Sequence, residues 1–149
     1  SMGLSQPTPN QLKALIASSM VHGARGAFYY TYISDQPQTA GRTGWYAPDD
    51  VDAFAAYTIM HALQDDLVPV SFSNAEEEAI TSGGVEWRRF DLNGRSVVLL
   101  VNARATAVEV YVEDVLPDAN TVRAYQTCET IEDDIFTLRA YQVMVLEGF

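Results

Sequence analysis

The rhythm of hydrophobic and polar positions changes once along the chain. Up to about residue 67, apolar residues recur at helical spacing in two places and crowd into one short run between them. From residue 68 they fall into short, strand-length runs separated by turn residues. The first helical stretch opens on Thr8, Pro9 and Gln11: an N-cap, a first-turn proline and the reciprocal partner of a capping box. The spacing predicts a helix over about 9–22, with Leu12, Leu15, Ile16 and Met20 as its apolar stripe and Gly23 as a left-handed C-cap.

After Gly23 and Gly26 comes AFYYTYI, aromatic and β-branched and apolar on both faces, as expected of a strand covered by helices in a parallel sheet. A long polar loop rich in Gly, Pro, Ser and Thr follows and ends at Pro48, Asp49 and Asp50, acids suited to the positive end of a helix dipole. Val51, Phe54, Ala55, Thr58, Ile59 and Ala62 then supply the inward stripe of a second helix, to about residue 64. Beyond Val68 seven short strands are expected: EAITSG, VEWRRFDLN, RSVVLLVNA, AVEVYVEDV, TVRAYQTCE, IFTL and QVMVLEG. Asn93-Gly94 is the strongest turn signal, a two-residue hairpin tolerant of positive φ.

The predicted fold class is therefore α+β: a helix–strand–helix segment over 1–67 followed by an antiparallel β-sandwich over 68–149. No Gly/Ser linker separates the two parts, so they should pack rigidly.

Composition narrows the partners. Apolar and aromatic residues make up 48% of the chain and charged residues 19%, enough for a packed core and too apolar for disorder. Nine Lys and Arg stand against twenty Asp and Glu, for a formal net charge of -11, which disfavours nucleic acid and anionic membrane as partners. A single cysteine, Cys128, excludes an internal disulfide and a cysteine-based zinc site. No apolar run approaches the roughly 18 residues of a membrane helix. No signal-peptide pattern opens the chain, and both a cytoplasmic and a secreted compartment stay open. Ser1-Met2-Gly3 has the look of a cloning remnant, so the natural start is open as well.

The stretch TPNQLKALIASSMVHGARGAFYYTY resembles the last helix-to-strand step of glycoside hydrolases built on a (β/α)8 barrel, with its Gly-Ala-x-Gly turn into an aromatic final strand. DDVDAFAAYTIMHALQDDLVPV is similar to their closing helix, and NGRSVVLLVNARATAVEVYV and LRAYQVMVLEGF resemble their C-terminal sandwich. The resemblance spans nearly the whole chain and implies its tail position in such an enzyme. It also implies a gap. These enzymes hydrolyse a glycosidic bond with two carboxylates held a fixed distance apart, and in the barrel members those come from earlier strands. No catalytic residue is assigned here, and the chain alone should be catalytically incomplete.

On that view Tyr30, Tyr32 and Ser34 share one side of the strand, at the end that faces the substrate cavity in a barrel. A tyrosine offers a sugar both an apolar face and a hydroxyl. The candidate substrate-binding residues are Tyr30, Tyr32, Asp35 and Trp45. Phe28 and Tyr29 are better read as core. For Tyr32 and Asp35 a core and a cleft role weigh equally, and Trp45 with Tyr46 fits either a stacking platform or a staple that pins the loop. His22 and His61 lie apart with no ligand partner in sequence, so no metal and no cofactor is expected, and His22 should cap the first helix. Trp87 belongs in a sandwich core.

The expected partners are a carbohydrate, and either the missing N-terminal barrel portion or a second copy of the chain that covers strand 26–33. A stand-alone carbohydrate-binding or protein-interaction module is the alternative, and it needs an exposed aromatic row, for which Trp87, Tyr111 and Tyr125 are the candidates.

Overall fold

The structure, a computed structural model, describes residues 8–24, 80–82, 84–92, 94–125 and 127–149. The first helix, α1 (Pro9–Val21), forms where its caps specify. The Thr8 hydroxyl accepts from the Gln11 amide at 3.3 Å, and the Gln11 side chain accepts from the Thr8 amide at 2.8 Å, which closes the capping box. At the other end Gly23 has φ +95°. Its amide reaches the Met20 carbonyl while the Ala24 amide reaches that of Ser19, a complete Schellman ending with His22 as C-cap.

Leu12, Ile16 and Met20 are buried as the spacing predicted, but Leu15 is 62% exposed. Ala14, Ala17 and Val21 are buried instead. The inward face is thus rotated toward the small residues, which let the helix backbone approach its neighbour.

That neighbour is a six-stranded sheet built from β1 (Ile80–Ser82), β2 (Val85–Leu92), β3 (Arg95–Asn102), β5 (Val122–Ala124), β6 (Thr130–Ile131) and β8 (Val143–Gly148), in the order β1-β2-β3-β8-β5-β6, antiparallel throughout. A second, two-stranded sheet pairs β4 (Val108–Tyr111) with β7 (Ile135–Leu138). The turn signals at Gly84 and Gly94 hold: Leu92 pairs with Arg95 around a turn in which Gly94 has φ +78°, and Ser82 pairs with Val85 around a turn in which Gly84 has φ +92°.

β3 lies at the centre and is covered on both sides. Val97, Leu99 and Val101 join the core formed with α1, together with Phe90 and Val145. Val98 and Leu100 point the other way, into a second core with Val85, Trp87, Val110, Leu138 and Leu146 between the two sheets. Each large apolar side chain so buried stabilises the fold by about 1.5–3 kcal/mol. The antiparallel sandwich predicted from the sequence is present, with α1 as an added layer.

Two strand boundaries need correction. AVEVYVEDV does not continue as a strand: it leaves the sheet at Tyr111 and makes one helical turn, α2 (Val112–Val115). Glu113 and Asp114 sit in that first turn, where acid is favoured, and Val115 and Leu116 rotate into the core. Of TVRAYQTCE only Val122–Ala124 is strand, as β5; Cys128 then takes a left-handed conformation at φ +57°, and β6 begins just beyond the predicted stretch, at Thr130. Of the predicted helix–strand–helix segment, α1 is observed, whereas strand 26–33 and the helix to residue 64 lie outside the described residues. Among the described residues no helix is long and apolar enough to cross a membrane.

Candidate functional site

Tyr30, Tyr32, Asp35 and Trp45 all lie outside the described residues, as do Phe28, Tyr29, Ser34, Tyr46 and His61. What is described is the anchor from which the tyrosine-bearing segment departs. At the C-terminal end of α1 the Ser18 hydroxyl donates to the Glu86 carboxylate, which lies 3.3 Å from His22 Nε2. Beside it, Arg88 Nη1 donates to the Val21 carbonyl at 3.1 Å, satisfying an acceptor that the helix leaves free at its end. Glu86 and Arg88 project from the same side of β2, with Phe90 in the α1 core below them. Three contacts and a Schellman turn thus fix the exit of the helix two residues before Gly26.

His22 is the C-cap residue of α1 by position, but its side chain turns to Glu86 and Arg88 meets the free Val21 carbonyl in its place; Trp87 is core at 4% exposure, as predicted. The Trp87 ring packs between the two sheets with the Arg89 guanidinium 5.7 Å from its centroid. Tyr125 is half-buried against the α1 core. Only Tyr111 of the three aromatics remains exposed, at 46%, so Trp87, Tyr111 and Tyr125 do not form a surface row.

Tyr111 stands on a feature that the strand pattern alone missed. It pairs across β4 and β7 with Ile135, which is 42% exposed, and the Val112 amide donates to the Asp134 carbonyl at 2.9 Å. A groove of about 440 Å³ follows, lined by Tyr111, Val112, Glu113, Leu116, Asp134 and Ile135 among others. A smaller cleft of about 180 Å³, with Arg89, Ser96 and Phe149 in its lining, lies across the 116–119 turn. Sequence reasoning overlooked Glu113, Asp134 and Ile135. The available signal was the alternation of β4, where Val110 points in and Glu109 and Tyr111 point out.

Solved structures share this architecture. A candidate alpha-galactosidase/melibiase of Bacteroides fragilis superposes with a TM-score of 0.60 at 10% identity, covering 97% of this chain and 29% of its own. The alpha-amylase of Geobacillus thermoleovorans gives 0.56 at 14% identity, covering 91% and 33%. Alpha-galactosidase I of Mortierella vinacea gives 0.53 at 16% identity, covering 99% and 37%. The fold is shared with glycoside hydrolases. The chain spans about a third of the length of those proteins. No family model and no curated protein matches its sequence.

Proposed function

We propose that the chain is the C-terminal portion of a glycoside hydrolase-like protein, contributing one wall of a sugar cleft from 1–67 and a structural β-sandwich from 68–149, and catalytically incomplete alone. The observation that carries this reading is the asymmetry of coverage: nearly all of the chain superposes on glycoside hydrolases, and only about a third of each of them is used. The anchored end of α1 supports it, because a strand that presents Tyr30, Tyr32 and Asp35 to a sugar has to start from a fixed point. Trp45, from the long loop, would stack on the same ligand. The acid/base and nucleophile or base carboxylates of glycoside hydrolysis are supplied by the missing part.

The purified 149-residue chain should release no chromophore from a panel of chromogenic glycosides, and turnover would overturn its incompleteness. Sequencing the source DNA upstream of the Gly3 codon tests the tail position. An open frame carrying further strand–helix units supports it, and a stop codon close upstream contradicts it.

A further inference from the structure

We propose that the groove beside Tyr111 on the sandwich is a second, non-catalytic sugar site that takes a neutral oligosaccharide of one or two rings in contact. It does not depend on the cleft wall formed by 1–67. Its platform is rigid. Tyr111 is the last residue of β4, locked by its pairing with Ile135, and the helical turn that follows is closed by the Leu116 amide on the Val112 carbonyl at 2.8 Å. A tyrosine held this way presents a large amphipathic surface at low entropic cost. Val112, Pro117 and Ala119 supply the apolar part of the groove's floor, against which the C–H face of a pyranose can lie, and the exposed Glu113 and Asp134 stand at its edge as hydroxyl acceptors.

Charge selects the ligand class. Both ionisable groups lining the groove, apart from the Tyr111 phenol, are carboxylates, and the whole chain carries -11, so phosphorylated or uronic sugars are repelled. A volume of about 440 Å³ is at the small end of ligand sites and short for an extended peptide. A basic peptide would use the carboxylates and leave the apolar floor unmatched.

The test is amide shift mapping on the isotope-labelled full chain, titrated separately with maltotriose, melibiose and a short oligolysine. Either sugar is expected to move the amides of Tyr111, Val112, Glu113, Ala119 and Ile135, with an affinity in the millimolar range. Tyr111→Ala should weaken that binding about tenfold, while Leu15→Ala, on the outer face of α1 and outside the groove lining, should leave it unchanged. If neither sugar moves the groove amides at tens of millimolar, the proposal fails. Shifts from oligolysine alone, abolished by Glu113→Gln, overturn it in favour of a basic peptide.

Discussion

The side-chain amide of Asn102 donates to the Arg139 carbonyl at 2.9 Å, tying the end of β3 in one sheet to the end of β7 in the other. The same Nδ2 lies 2.8 Å from the Thr106 carbonyl and 3.2 Å from that of Leu138, and Oδ1 accepts from the Arg104 amide at 3.0 Å. Asn102 is fully buried, and among the described residues it is the only polar side chain that is. Asn102→Ala leaves several carbonyls without a donor and should destabilise the chain by about 2–4 kcal/mol. Asn102→Asp should cost at least as much at neutral pH, because it sets a carboxylate against those carbonyls. Urea denaturation followed by far-UV circular dichroism measures both.

Trp87 illustrates the opposite balance. Its ring fills the space between the sheets, yet its indole N–H is buried without an acceptor among the described residues. Trp87→Ala opens a cavity and should cost about 3–5 kcal/mol. Trp87→Phe keeps most of the packing and removes the unpaired donor, so its loss should stay within about 1–2 kcal/mol of the parent. A phenylalanine variant as unstable as the alanine variant would show that an acceptor for the indole had been overlooked.

These two residues mark how far the sequence could be read. Capping at Thr8, the turns at Gly84 and Gly94, and the core position of Trp87 all follow from local chemistry, and all are observed. Leu15 failed because helical spacing alone does not say which neighbour a helix will meet, and a stripe of alanines can win the contact over a larger side chain. AVEVYVEDV failed because two acids can start a helical turn in a segment whose alternation still reads as strand. β3 carries a wider lesson. Its unbroken apolar run is the cue that assigned strand 26–33 to a parallel sheet, yet β3 is antiparallel and gains the pattern from being covered on both faces. The groove was half legible: Tyr111 was singled out, but Ile135, Glu113 and Asp134 reach it only through the pairing of β4 with β7.

The capping box offers a measurement confined to α1. Thr8 and Gln11 satisfy each other's amides, so the two side chains should be energetically coupled. Thr8→Ala is expected to destabilise the helix start by about 1 kcal/mol. Gln11→Ala should cost less in the Thr8→Ala background than in the parent. Hydrogen exchange at the Gln11 and Leu12 amides reads the effect, and strictly additive losses would contradict the coupling.

Self-association follows from the proposed tail position. A strand that belongs in a barrel, expressed without the neighbouring strands, would offer unpaired edges and apolar faces to any second copy. The chain is therefore expected to run as a dimer or larger species at micromolar concentration in size-exclusion chromatography with light scattering. Tyr30→Arg, which sets a charge in segment 26–33, should shift it toward monomer. Leu15 provides the control, because it is a large apolar side chain exposed on the outer face of α1. If Leu15→Arg disperses the assembly and Tyr30→Arg does not, association runs through the helix and the strand is covered in some other way. A parent chain that elutes as a sharp monomer would remove the expectation altogether and weaken the view that strand 26–33 has lost its neighbours.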